Sequence, residues 1–526
     1  MKQLFRPVFI ILLLITIGLT ACGNNDDSET EDIESNNANP NEESVLNIAL
    51  DATPATMDIP RTAATTSRDT GMLMFETLVT TDADFEPIPM LAEKIDISED
   101  NKNYIFHLRQ GIKFHNGKEM KAEDVIASME RWAEVSSVSG ELFKTATWSE
   151  IDEYTVELEL ASPSSLTLNT LATAKAAPAI MPKEIVDAAP AEGIEEYVGT
   201  GPYQLEEWRQ DQYIHFTKHE EYQAVDLPAT GLGGKKEALV DNIYFHLVSD
   251  SSTRLAGLQS GEYDFAYNIP YDNYELLQNT DGIDPILIPG SNMIFKLNLT
   301  EGIVSNPTIR KAINYALDYD EVMMAAFPNK DFYWLDPSYM HVDLPFWKSD
   351  AGSEHFNQNN QEKAKELLEE AGYDGEEIKI MATRDYEYMY TMAVVLEEQL
   401  QRIGMNTKLE VFDWPTKTER QADPTLWDIF PLGLSMVSTP PQLLSLSPTW
   451  AGGIADNYIT DQIKEIENAA SIEESREIWE DLQAYNWDYL PVINLGGTST
   501  LYGISDKVQG LESPLGPLFW NVTIEE

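Results

Sequence analysis

Cys22 is the one cysteine of the chain, and it stands directly after Leu19-Thr20-Ala21. A thiol in that setting is a lipid acceptor. Lys2 and Arg6 supply the charge of a secretion signal, the apolar run from Val8 to Leu19 supplies its core, and small residues lead into the cysteine. The run is too short to span a bilayer comfortably, so the spacing predicts a signal peptide over 1–21 and a mature chain that begins at a thioether-linked Cys22. Two or more acyl chains make a lasting anchor where one would be marginal. Without a second cysteine no intramolecular disulfide forms, and the fold stands on its apolar core. His215 and His219 have the i, i+4 spacing of metal ligands, but on the strand expected there they stand about 13 Å apart, too far to share an ion. No Gly-x-Ser-x-Gly elbow, His-Glu-x-x-His pair or phosphate loop occurs, and Gly199-Thr-Gly-Pro202 reads as a turn. Enzyme catalysis, a cofactor and a metal site therefore have no support in the sequence.

The elements around these residues alternate between the two periodicities. Tyr104-Ile-Phe-His-Leu-Arg109 reads as a strand, Ile112-Lys-Phe-His115 resumes it after Gly111, and Asn116-Gly117 predicts a type I′ hairpin turn. Val125, Ile126 and Met129 mark one face of a helix over Ala122 to Trp132. Ile243, Phe245 and Leu247 alternate as a strand, a helix over Ser252 to Ser260 ends at Gly261, and a strand from Tyr263 to Tyr267 follows. Asn306-Pro307 predicts an N-cap with proline at the first helical position, and Ile309, Ala312, Ile313, Ala316 and Leu317 form the buried face. Further helices are expected over Gln361 to Ala371, stopping at Gly372, and over Val394 to Ile403, which feeds a strand from Thr407 to Phe412. Strands alternating with helices argue for two α/β lobes.

Composition sets the surroundings. The chain has 526 residues, with 35 basic against 89 acidic side chains and a formal charge of −54. Such a field argues against nucleic acid or anionic lipid head groups as partners. Residues 23–44 are polar and acidic, without Lys or Arg, and read as a disordered tether that spans about 25 Å on average. About 480 residues remain, too many for one core.

Several segments together resemble the peptide, opine and nickel family of ABC-transporter substrate-binding proteins, solute-binding protein family 5. They are Met90-Leu-Ala-Glu93, the run from Tyr104 to Gly117 with Ala122-Glu-Asp-Val125, Gly199-Thr-Gly-Pro-Tyr203, Leu258-Gln-Ser-Gly-Glu-Tyr-Asp264, Ile309-Arg-Lys-Ala-Ile-Asn-Tyr-Ala-Leu317 and Ala364-Lys-Glu-Leu-Leu-Glu-Glu-Ala-Gly-Tyr373, in family order. The resemblance implies an α/β fold, the two-lobe type II periplasmic-binding-protein clamp with an extra subdomain in lobe I. By analogy lobe I covers 45–288 and 495–526, its subdomain 76–194, and lobe II 289–494, with hinge strands near Asn292 to Leu299 and Pro491 to Gly496. It also implies a monomer on the outer face of the cell membrane. Its partners would be a small peptide-like, opine-like or conjugated solute and the permease and ATPase subunits of an importer, with the membrane touched only through the lipid anchor. The alternative is a sensory or chaperone-like lipoprotein that uses the same clamp without transport.

The site residues implied by the family are mixed with departures from it. Thr383-Arg384-Asp385-Tyr386 stands where dipeptide binders have Arg-Pro-Tyr, so Arg384 is a candidate carboxylate ligand with Tyr386 beside it. Gly433-Leu-Ser-Met-Val-Ser-Thr-Pro-Pro441 stands where those binders have Gly-Trp-x-x-Asp, which puts Leu434 at the tryptophan and Val437 at the aspartate that takes a ligand amine. An ammonium buried without a paired carboxylate is costly, so ordinary free peptides are disfavoured. Ser435, Ser438 or Thr439 would instead offer hydroxyls to a neutral or anionic group, with Met436 and Val437 as further contacts in the same stretch, unless Asp413 or Asp428 replaces the lost acid. Trp414 stands where relatives have an aromatic wall, with Trp450 a weaker candidate. Tyr267 and Asn268 end a lobe I strand, and Thr62, in the loop with Arg61 and Thr66, forms a further wall.

Overall fold

The computed structural model describes residues 43–454 and 456–525. The signal peptide, Cys22 and all but the last two residues of the tether lie outside the described residues. An eleven-stranded sheet is built from β1 (Val45–Leu50), β2 (Tyr203–Arg209), β3 (Tyr213–Lys218), β4 (Asn242–Leu247), β5 (Phe265–Ala266), β6 (Ile283–Leu297), β7 (Tyr333–Trp334), β8 (Glu377–Thr383), β9 (Asn406–Phe412), β10 (Ile429–Ser435) and β11 (Val492–Ser505). Its spatial order is β9-β8-β10-β6-β11-β5-β1-β4-β3-β2, with β7 paired to β11. β1 runs parallel to β4 and β5, and β8 runs parallel to β9 and β10. Parallel neighbours need crossovers, and the helices Ser251–Ser260 and Glu387–Arg402 supply two of them.

The helices begin and end where local chemistry directs. The Asn306 side chain accepts from the Thr308 N–H at 2.9 Å ahead of Pro307, which has no N–H to leave unpaired. Gly261 and Gly372 end their helices at φ +77° and +70°, the left-handed conformation that glycine adopts without penalty.

Hydrophobic residues divide into separate cores. Residues from β1, β4 and the C-terminal segment pack around Phe245, Phe265 and Phe519. A four-stranded antiparallel sheet, Ala92–Ile97, Asn103–Leu108, Thr155–Glu159 and Thr147–Asp152 in spatial order, packs its Phe106 and Val156 against Val125, Met129 and Trp132 of helix Ala122–Val135. The largest core holds the helices after residue 306 against β6, β8, β10 and β11. Each fully buried large apolar side chain in these cores contributes roughly 1.5–3 kcal/mol. β6 and β11 are the long strands, pairing from Ile283–Ser505 to Lys296–Val492 with register breaks between Pro289 and Asn292 and between Met293 and Ile294. Gly496 at the second break has φ +128°, and a Cβ there would stand 2.1 Å from the Trp334 carbonyl oxygen. No other residue fits that crossing of β11 and β7 without moving the backbone.

Three local expectations change. The turn after Phe114 closes by the Gly117 N–H donating to the Phe114 carbonyl at 2.8 Å, with positive φ at Gly117 and not at Asn116, so it is not the type I′ turn that Asn-Gly suggests. The strand expected from Tyr263 pairs only at Phe265–Ala266 because the Glu262 and Tyr263 N–H groups still bond to the Gly257 carbonyl of the preceding helix. The helix expected from Val394 starts at Glu387, since Met389, Met392 and Ala393 already belong to its buried face.

Candidate functional site

A cavity of about 320 Å³ lies where segments from many parts of the chain meet at the broken middle of β6 and β11. One wall comes from Thr62 and the helix Thr65–Gly71, a second from Tyr267 and Asn268 beyond β5, and a third from Ser435 to Ser438 beyond β10. Pro289, Gly290 and Ser291 of β6 and Thr500 and Tyr502 of β11 close it, and Lys175, His341 and Gln442 also face it. Its volume is in the range of small-molecule sites.

Charge within the cavity is mostly paired. Arg68 donates through Nε at 2.8 Å and Nη2 at 2.7 Å to Asp69 Oδ1, and Nη2 also reaches the Leu515 carbonyl at 2.9 Å. The Tyr267 hydroxyl donates to Asp69 Oδ2 at 3.2 Å. Burial pushes the Asp69 carboxyl upward while Arg68 opposes it. Tyr267 and Tyr502 meet edge to face at 5.3 Å and form an aromatic wall. Burial and the Asp69 charge hold the Tyr267 phenol well above its ordinary range, so it acts as a neutral donor. His341 sits 3.4 Å from Asp343, yet burial lowers its pKa, and its Nε2 has no hydrogen-bond partner among the described residues.

Seven of the predicted contacts line this cavity: Thr62, Tyr267, Asn268, Ser435, Met436, Val437 and Ser438. Arg384, Tyr386 and Trp414 are brought together elsewhere, past the end of β8, and are absent from its wall. Arg384 is exposed and lies 3.7 Å over the Tyr390 ring, Tyr386 meets Trp414 edge to face at 4.9 Å, and Asp385 accepts the Trp414 N–H at 2.6 Å. Trp450 packs over the Lys296 ammonium at 4.5 Å. Neither of the acids weighed as a replacement for the missing aspartate reaches the cavity wall: Asp413 caps a helix through the Thr416 N–H, and Asp428 accepts the Lys379 N–H at 2.8 Å. His215 stacks on Tyr244 at 4.1 Å, whereas His219 meets His115 at 4.9 Å.

Sequence reasoning missed Arg68, Asp69, Lys175, His341, Gln442 and Tyr502. Only Lys175 carried a local signal, a lone charge in the small, apolar run Leu171-Ala-Thr-Ala-Lys-Ala-Ala-Pro178. The others face the cavity because distant segments converge there.

Comparison with known proteins agrees with this architecture. A model of the middle region of bacterial extracellular solute-binding proteins, family 5, matches residues 86–452. The probable peptide ABC transporter periplasmic-binding protein y4tO of Sinorhizobium fredii is 27% identical over 481 residues, which cover 88% of this chain and 90% of that one. The glutathione-binding protein GsiB of Salmonella paratyphi A is 29% identical over 379 residues, 70% of this chain and 69% of its own. Among solved structures, AgaA of A. tumefacien R10 in complex with agropinic acid superimposes with a TM-score of 0.75 at 24% identity, over 92% of this chain and 99% of that one. CtaP of Listeria monocytogenes gives 0.78 at 20% identity, over 89% and 96%. These neighbours have the two-lobe α/β fold of periplasmic binding proteins, and the relatives are named as binding proteins, not enzymes. Among the described residues no helix is long and apolar enough to cross a membrane. With a family match that spans most of its length and the lobes, long strands and central cavity in place, the chain belongs to the bacterial extracellular solute-binding proteins, family 5.

Proposed function

We propose that this protein is the extracytoplasmic, lipid-anchored binding component of an ABC importer, taking a peptide-like or conjugated solute between two lobes and presenting it to a permease. The observation that carries the reading is the cavity itself, walled by both sides of the sheet and floored by the two long strands where their register breaks. In this reading lobe I is 45–288 with 495–526 and the subdomain 76–194, lobe II is 289–494, and β6 and β11 are the hinge. Ligand-driven closure about such strands is a population shift that a permease reads. The proposed contacts are Thr62, Tyr267, Asn268, Ser435, Met436, Val437 and Ser438. The relatives' ligands, a peptide, glutathione and agropinic acid by name, support a peptide-like or conjugate class. With Val437 in place of an acid, a free ligand amine has no dedicated partner there.

The test is a thermal melt, followed by tryptophan fluorescence, titrated with free peptides, N-blocked peptides, opine-like conjugates and nickel-histidine. Blocked or conjugated solutes are expected to raise the melting temperature by mass action. Equal response to free and blocked dipeptides overturns the reading of Val437, and no response to any solute overturns the binding function. For the anchor, labelled palmitate is expected in the wild-type chain expressed in cells and absent from Cys22→Ser, which should be recovered free of the membrane.

A further inference from the structure

Lys175 lines more than the cavity described above. A second cavity of about 640 Å³ extends between the segment 137–170 and the loop after Thr439, and the two share Val138, Lys175, Val437 and Gln442 in their walls. In this shared wall two donors have no acceptor among the described residues. The side-chain oxygen of Gln442 accepts the N–H groups of Ser438 at 3.0 Å and Thr439 at 3.2 Å. Those two backbone donors fix which end of the amide is oxygen, so Nε2 is a true NH₂ group, and it is buried without a partner among the described residues. Lys175 has no carboxylate partner among the described residues, and burial alone bears on its ammonium, lowering its pKa. That is unusual in a chain where 89 acidic side chains face 35 basic ones. The other cation of the first cavity, Arg68, is engaged by Asp69. Of the remaining acids, Asp343 sits beside His341 in the first cavity, and Glu467, which burial pushes upward, lines the second.

An ammonium and an amide NH₂ in one shared wall call for an acceptor with several lone pairs, and a carboxylate supplies them. We propose that this shared wall is a neck between the two cavities and binds a carboxylate carried in the middle of the solute, with the solute's two arms lying in the two cavities. The site would then select elongated or branched peptide-like molecules with an internal acid, either an acidic side chain at a central residue or the carboxylate at the branch point of an amino-acid conjugate. This rests on the reading of the cavity as a solute site.

The experiment is calorimetric titration of the full chain in detergent with three probes: N-acetyl-Ala-Glu-Ala-amide, N-acetyl-Ala-Gln-Ala-amide and an N-carboxyethyl amino acid. The glutamate peptide or the conjugate is expected to bind at least tenfold more tightly than the glutamine peptide, and the stronger of the two identifies the source of the carboxylate. Lys175→Met should bring the ratio of glutamate to glutamine binding close to one, and Gln442→Leu should weaken the acidic probe severalfold. Thermal melts of both variants without ligand establish that they fold. If the glutamine peptide binds as tightly, or the ratio survives Lys175→Met, or free peptides bind while neither acidic probe does, the internal carboxylate is overturned and solute binding stands. If no probe and no free peptide binds, both readings fall.

Discussion

Lys296 lies on β6 with none of its surface exposed. Its ammonium donates to the Gly452 carbonyl at 3.1 Å and sits over the Trp450 ring, with no carboxylate among the described residues to balance it. Burial, helped by the like charge of Arg310, pushes its pKa from 10.5 down to about 7. That gap corresponds to about 5 kcal/mol of penalty on the protonated folded state. The unfolded chain keeps this proton up to about pH 10.5 and the folded chain only to about 7, so in that window the unfolded state binds more protons and stability rises with pH. The penalty is complete below pH 7 and gone above 10.5. Lys296→Met keeps the length of the side chain and removes the charge. Urea unfolding of wild type and variant at pH 7.5 and 9.5 isolates the effect, because other titrating groups cancel between the two proteins. The stability of wild type relative to variant should improve by about 2.5 kcal/mol from the lower to the higher pH. A difference between the two proteins that is the same at both pH values, within about 0.5 kcal/mol, refutes the reasoning: Lys296 would then titrate alike in both states.

Two further perturbations test other parts of the molecule. Leu166 belongs to the segment 76–194 yet is buried in the largest core, flanked by a Ser165–Ser475 hydroxyl contact at 2.9 Å and by Asn101 donating to the Ala470 carbonyl at 2.8 Å. If these contacts exist only in the closed clamp, Leu166→Ala removes roughly 2 kcal/mol from that state and weakens solute affinity by about thirtyfold with the wall of the first cavity intact. Titration calorimetry and the solution radius of gyration check this. Arg68→Met leaves Asp69 buried and unpaired, which costs about 3–5 kcal/mol, and the variant should lose stability as pH rises because a raised carboxyl pKa favours the protonated folded state. Asn at position 69 in the same background should restore most of it, measured by denaturant melts.

The sequence makes legible what nearby residues decide. The cap at Asn306, the stops at Gly261 and Gly372 and the apolar face of helix Ala122–Val135 follow from contacts within a few residues, and each forms close to where its pattern places it. Most of the expected cavity wall was legible because the residues sit next to a recognisable strand end, as Tyr267 and Ser435 to Val437 do, and Thr62 because of the loop it shares with Arg61 and Thr66. Arg384 shows the limit of that reasoning. Its type suits a carboxylate and its position matches the family's, but Tyr390 in the following helix takes its guanidinium and the group stays outside the cavity lining. Lys175 is the opposite case, with no motif around it and no carboxylate partner among the described residues once the chain is folded. Composition counts charges but not their pairing. In a chain this acidic the pairing is the informative quantity, because a lysine that shares a cavity wall with an unsatisfied amide marks where an anion from outside is needed.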